Sequence, residues 1–280
     1  MPSPSDEQVV TARVLREWPL PDPQGDKKAR GTVLVVGGSR TTPGAVLLAG
    51  VSALRAGAGR LQLAVEAGTA TALSIAVPEA KVIGLPDASE QLSELAAGAD
   101  VVAVGPGLDD IGETVRLLHQ VLEAAADEAA FVLDAYALGA LSKEPGMLGE
   151  RAARAVLTPN VTEAGILLGR DPGEDLAAEA RVLADKFQAV VSLYGHVAAP
   201  DGRAWREESG DAGLGTSGSG DVRAGIVAGL LGRGCEPAQA ACWGAFAHAV
   251  SGQRLAPRFG RTGFLARELV DEVAYTLATV

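Results

Sequence analysis

Aromatic residues make up only 4% of this 280-residue chain, and it has two cysteines and three histidines. A core so poor in rings must be filled by Ala, Val and Leu, and the 35 glycines imply closely packed backbones. Cys235 and Cys242 lie in a stretch that reads as helix, about 10 Å apart along its axis, too far for a disulfide. His119, His196 and His248 are scattered and make no ligand spacing with them, so no residue is assigned to a metal. Positive charge is also short. Lys plus Arg number 24 against 35 Asp plus Glu, a net charge of −11, which argues against nucleic acid or an anionic membrane as partner. An anionic small molecule stays open, because backbone N–H groups can hold one without a cation. Long apolar runs are absent too. The longest uncharged run, 237–253, is 17 residues long and carries His, Gln and Gly, so it reads as a buried helix and not as a membrane span. The opening MPSPSDEQVV has neither a basic start nor an apolar run, so no secretory signal is expected and a cytoplasmic location is.

What the chain does have is 48% hydrophobic residues, arranged as short β-branched runs alternating with helical stretches. Strands are expected at 32–36, 61–65, 82–85, 101–104, 131–134, 155–157 and 190–193. A hairpin of 197–199 with 204–206 is expected around Pro200-Asp-Gly-Arg203. Helices are expected at 43–56, 69–76, 89–97, 112–126, 163–168, 175–186, 221–232, 237–252 and 262–277. The main strands are continuous apolar runs, the pattern of strands covered on both faces. The fold class is therefore α/β, three layers (α/β/α) around a mostly parallel sheet. Pro21–Arg30 is the one polar, Pro-rich stretch of any length, so residues 1–30 read as an N-terminal extension and 31–280 as one domain.

Ligands of such sheets bind beyond the carboxyl ends of the strands, where loops run into helix N-termini. Four loops meet that condition. In Val36-Gly-Gly-Ser-Arg-Thr-Thr-Pro-Gly-Ala45, Thr42 reads as an N-cap and Pro43 as the first helical residue, and the loop also reads as an ordinary tight turn. Val104-Gly-Pro-Gly-Leu108 is a second strand-to-helix turn. In Leu157-Thr-Pro-Asn-Val-Thr-Glu163, Asn160 and Glu163 read either as a cap with its acidic partner or as a polar cluster facing the crevice. The sharpest signal is Gly213-Leu-Gly-Thr-Ser-Gly-Ser-Gly-Asp221, followed by a long apolar helix. Bare N–H groups and the helix dipole make such a loop a cradle for phosphate or a developing oxyanion. Asp221 beside it suits a hydroxyl-activating base, although it also reads as a carboxylate placed favourably on the dipole. Neither the Walker nor the dinucleotide-binding glycine pattern is present.

Taken in order, these loops resemble the ribokinase-like superfamily and, within it, the ADP/ATP-dependent NAD(P)H-hydrate dehydratases. The resemblance runs from about Gly31 to Leu277 and rests on VLVVGGSRTTPGAVLLAGVSALRAGAG, VVAVGPGL, FVLDAYAL, LTPNVTEAGILLG and GTSGSGDVRAGIVAGLLGRG. It implies a ribokinase-like catalytic domain that removes water from hydrated NADH or NADPH at the expense of ADP or ATP, with Mg²⁺ on the polyphosphate. It implies Ala45, Gly107, Asn160 and Asp221 as hydrate-binding positions, Asp221 as the catalytic base, and Gly195, Gly218 and Gly220 on the adenine nucleotide. A homo-oligomer is implied as well. A small-molecule kinase, acting on a hydroxymethyl vitamin precursor or a sugar, shares the loop and the base. A nucleotide-binding paralogue without catalysis shares the loop alone.

The chain departs from the family at three positions. Asn160 stands where a His is usual, Val191-Ser-Leu-Tyr-Gly-His196 lacks the usual Lys before Gly195, and Tyr136 replaces a second Asp while Asp134 is kept. A lost cation at a nucleotide site calls for a substitute, and Arg40 in the first loop is the nearest candidate by motif, although it also reads as an ordinary solvated arginine.

Overall fold

A computed structural model describes residues 7–22, 26–87 and 89–280. Residues 1–6, with the opening peptide, and 23–25 of the Pro-rich stretch lie outside the described residues. Ten strands form one sheet: β1 (Gln8–Val9), β2 (Thr32–Val36), β3 (Arg60–Glu66), β4 (Ala80–Leu85), β5 (Val101–Val104), β6 (Ala130–Leu133), β7 (Ala155–Leu157), β8 (Val190–Leu193), β9 (His196–Ala198) and β10 (Ala204–Arg206). Their order is β1-β10-β9-β8-β7-β6-β5-β2-β3-β4. Pairing is parallel except at β8–β9 and β9–β10, where the expected hairpin folds back with Ala198 opposite Ala204.

The helices are α1 (Ala12–Glu17), α2 (Gly44–Arg55), α3 (Ala67–Ala76), α4 (Ser89–Ala97), α5 (Ile111–Ala124), α6 (Tyr136–Lys143), α7 (Val161–Leu168), α8 (Leu176–Phe187), α9 (Ser219–Gly232), α10 (Pro237–Phe259) and α11 (Ala266–Ala278). The continuous apolar strands bury both faces, as their composition requires. Val33 and Val35 of β2 pack with α2, α3 and α9–α11, while Leu34 and Val36 pack with α4–α8. Successive side chains of a strand point to opposite faces, so one strand feeds two cores.

Several boundaries differ from those expected. Pro43, not Thr42, stands at the N-cap of α2 and makes no side-chain cap bond, and the Thr42 hydroxyl donates to the Gly107 carbonyl at 2.8 Å. The helix expected at 221 begins at Ser219, with Gly218 as its left-handed cap, so Asp221 is its third residue and not its first. Helix α10 runs on to Phe259 because Ser251, Gly252 and Leu255 pack inward and hold the extra turns. Cys235 sits in the turn ahead of α10, and both cysteines are free and buried. Helix α6 and the pair β1/α1 had no clear sequence pattern. The described part of the N-terminal segment is woven into the fold. Strand β1 pairs with β10, Trp18 stacks on Trp205 with ring centroids 5.6 Å apart, and the Gln239 and Trp243 side chains donate to the Trp18 carbonyl.

The chain lays down β2, β3 and β4 in one direction and then returns to place β5 on the other side of β2. That reversal opens a crevice beyond the carboxyl ends of β2 and β5, where an open α/β sheet binds its ligand.

Candidate active site

The two loops at this reversal are locked together by backbone. The Gly38 N–H donates to the Pro106 carbonyl at 2.8 Å and the Ser39 N–H to the Gly107 carbonyl at 2.7 Å. Gly107 has φ +71°, and a Cβ there would stand 2.8 Å from the Ala45 Cβ and 2.5 Å from the Thr42 carbonyl. Only glycine lets the loops close this far, and closure brings the expected hydrate-binding pair Ala45 and Gly107 into contact.

Helix α9 reaches the same crevice by tight packing on α2. A Cβ on Gly225 would lie 2.1 Å from the Ala49 carbonyl, and one on Gly229 would lie 2.3 Å from that of Ala53. Both contacts advance by four residues, so the helices run side by side in the same direction. One turn back along each stand Ala45 and Asp221, and both helix N-termini point into the crevice. The cap Gly218, at φ +87°, faces Leu48 of α2 and lies just behind the Asp221 carboxyl.

On the far side of the α9 N-terminus opens a cavity of about 710 Å³, whose wall includes Asn160, Gly195, Gly215, Thr216 and Gly220. Three expected site residues therefore meet there, whereas Ala45, Gly107, Gly218 and Asp221 lie outside its wall. Asn160, expected on the hydrate, thus shares a wall with the glycines expected on the nucleotide. The capping reading of its loop holds: Asn160 forms a full capping box with Glu163, each bond 2.9 Å, and Glu163 lies outside the cavity wall.

Electrostatics single out Asp221. Its carboxyl is largely buried and faces the charges of Asp134 and Glu163, and these effects push its pKa up to about 7. Burial likewise raises Asp134, which accepts a 2.7 Å hydrogen bond from the Thr158 hydroxyl, and Glu163, which also feels Asp134. Next to Asp134, Ala135 is held at φ +48°, a conformation that L residues avoid and that marks stored strain at the edge of this cluster.

Three contributors had no assigned role in the sequence reading. Asp134 was legible only as a residue kept from the family pattern. Arg223 donates from Nη2 to the Thr158 carbonyl at 2.7 Å and lines the cavity. His248, in the long uncharged run, shares a buried 2.8 Å hydrogen bond with the Ser219 hydroxyl, and burial pushes it down to about 3, so it is neutral. The available signal for Arg223 was a lone charge inside an apolar helix. For His248 it was a lone polar ring in a run destined for the core. Arg40, by contrast, is exposed on its loop and takes no part in the cavity wall.

The family model for NAD(P)H-hydrate dehydratase matches residues 33–274. An ADP-dependent (S)-NAD(P)H-hydrate dehydratase of Xanthomonas campestris is 44% identical, the match covering 95% of this chain and 94% of that one. The chain is also similar to bifunctional NAD(P)H-hydrate repair enzymes, and spans about half of their length. Among solved structures, the ADP/ATP-dependent NAD(P)H-hydrate dehydratase of Bacillus subtilis co-crystallised with ATP and Mg²⁺ superposes with TM-score 0.84 at 26% identity, covering 98% of this chain and 99% of that one. A ribokinase-like superfamily protein of Enterococcus faecalis shares the fold at TM-score 0.86 and 22% identity, over 98% of this chain and 96% of its own. The locked glycine loops, the raised carboxyl at a helix start and these matches together make the chain a member of the NAD(P)H-hydrate dehydratase family.

Proposed function

We propose that this chain dehydrates NAD(P)H hydrate to NAD(P)H with consumption of ADP or ATP, a repair reaction on a damaged nicotinamide nucleotide. The observation that carries the reading is the Asp221 carboxyl, raised to about 7 at the open N-terminus of α9. It stands between the Ala45–Gly107 crevice on one side and the cavity of Gly195 and Gly220 on the other. A general base works best with a pKa near the working pH, which this environment supplies.

In this reading the hydrate sits against Ala45 and Gly107, and Asn160 reaches it from the cavity wall. The adenine nucleotide lies along Gly195 and Gly220, with Gly218 shaping the turn beneath, and its terminal phosphate meets the N–H groups at the start of α9. Asp221 takes the proton of the hydrate hydroxyl as that oxygen attacks the terminal phosphorus. The shortened nucleotide leaves, and the phosphorylated oxygen then departs as phosphate while the ring loses a proton and regains its double bond. The N–H groups at the helix start hold the charge that develops on the transferring group.

Mg²⁺ belongs to this reading as a partner of the polyphosphate. Among the described residues no group of three carboxylate, His or Cys side chains is placed to hold a metal ion, so phosphate oxygens and water would supply most of its ligands. When bound with nucleotide, the ion would neutralise polyphosphate charge. A cytoplasmic location and a homo-oligomer are part of the same reading.

The test is to incubate the protein with hydrated NADPH and ADP or ATP and follow the absorbance of reduced nicotinamide. Gly220→Val serves as the control. Nothing lies within 4 Å of a Cβ at Gly220, so the variant folds while its side chain fills the nucleotide cavity. Nucleotide-dependent growth of absorbance with wild type and none with Gly220→Val is the expected result. A folded wild type that binds nucleotide but leaves the hydrate unchanged would end the dehydratase reading in favour of a kinase or a non-catalytic binder.

A further inference from the structure

The cavity expected to hold the nucleotide is rich in negative charge. Glu207, Glu208 and Asp211 form part of its wall, and among the described residues that line it Arg223 alone carries a permanent positive charge. The carboxylates are already engaged. Glu207 accepts the backbone N–H groups of Ser209 at 2.7 Å and Gly210 at 3.2 Å, and Asp211 is paired with Arg261.

Arg223 is not. Its Nη2 donates to the carbonyls of Thr158 at 2.7 Å and Pro159 at 3.3 Å, which fixes the plane of the guanidinium. Its Nε is buried without any partner, and although the guanidinium feels the charges of Asp134 and Glu163, among the described residues neither forms an ion pair with it. A buried guanidinium with unused donors is costly, and such donors find a partner when an anion arrives. Arg223 lines the cavity, so the end of its guanidinium faces it. Helical side chains lean over the preceding turn, and three and four residues before Arg223 are Gly220 and Ser219, both in the cavity wall.

We infer that Arg223 binds a phosphate oxygen of the adenine nucleotide and so reads the polyphosphate rather than the adenosine. The inference rests on the nucleotide reading of the cavity and adds a residue to it. The guanidinium is oriented in advance by two carbonyls, and its remaining donors meet the same phosphate that the α9 N–H groups cradle. The cation missing before Gly195 is supplied instead from α9, two residues after the base.

The experiment is calorimetric titration of wild type, Arg223→Met and Arg223→Lys with ADP and, separately, with adenosine, which has no phosphate. Circular dichroism checks that each variant is folded. Arg223→Met is expected to lose on the order of tenfold to a hundredfold in affinity for ADP and none for adenosine. Arg223→Lys, which keeps the charge but not the fork, is expected to fall between. Equal loss for ADP and adenosine in both variants would make Arg223 a prop for the Thr158–Asn160 loop and overturn the inference. Unchanged ADP affinity would overturn it as well, leaving the nucleotide reading intact. A wild type that binds neither compound would remove the nucleotide reading and this inference with it.

Discussion

The two ends of the sheet treat clustered charge in opposite ways, and at the carboxyl ends the cluster lies beside the larger cavity and not in its wall. At the amino ends of the strands a cavity of about 430 Å³ is lined in part by Asp100, Glu128 and Arg154. There Arg154 pairs with Glu128, and the Asp100 carboxylate accepts the Thr32 N–H at 2.7 Å. At the carboxyl ends Asp134, Glu163 and Asp221 are all raised, and among the described residues Arg223 beside them forms an ion pair with none of them, its Nε being left without a partner. Charge neutralised where it stands ties elements together. Charge held apart from its complement, at a cost in stability, is charge kept for a ligand or a proton transfer.

The largest effect expected from disturbing this contrast is at Asp221. Asp221→Asn keeps the shape and removes the proton acceptor, so turnover should fall by about 10²–10⁴ while ADP still binds. The same variant reports on stability. A carboxyl raised in the fold keeps its proton longer there than in the unfolded chain. Its contribution is therefore complete below the ordinary carboxylate range and is lost as pH rises through about 7. Asn does not titrate, so Asp221→Asn should melt above wild type near pH 8 and lose that advantage near pH 4. A variant that is inactive yet no more stable at the higher pH would show that the cluster is not strained by its charge.

Next in size is the packing that aims α9. Gly225→Ala places a methyl 2.1 Å from the Ala49 carbonyl, on backbone that cannot turn aside. A loss of about 1–3 kcal/mol in denaturant unfolding is expected, with activity reduced because Asp221 moves relative to Ala45.

Smaller again is the response of wild type to pH. With the base near 7, kcat/KM should climb about tenfold per unit below that value and level off above it. A profile flat between about pH 5.5 and 8 would show that Asp221 ionises as an ordinary carboxylate. The least effect belongs to the amino end. Glu128→Gln breaks an exposed pair and should cost less than about 1 kcal/mol, with turnover unchanged. A matching loss of activity there would erase the contrast between the two ends.

The three-layer fold was legible because it rests on short-range patterns. Apolar runs such as Val101–Val104 and Thr32–Val36 can only be strands covered on both faces, and glycine before a helix start limits what the backbone there can do. The loops carrying Ala45, Gly107 and Asp221 were legible for the same reason. The Asn160–Glu163 spacing announced its capping box, because a cap involves neighbours three residues apart.

What sequence alone could not assign depends on which distant groups share a cavity. Arg40 and Arg223 are both arginines near glycine loops, and motif proximity favoured Arg40. Packing of α9 on α2 instead swings Arg223 under the Thr158–Pro159 carbonyls and leaves Arg40 in solvent. The neutral state of His248 and the place of Trp18 against Trp205 arise in the same way, from contacts between segments far apart in the chain. Periodicity, caps and glycine are properties of a few adjacent residues, so the sequence determines them directly. Desolvation and charge coupling are properties of a volume, and that volume exists only once the sheet has brought its loops together.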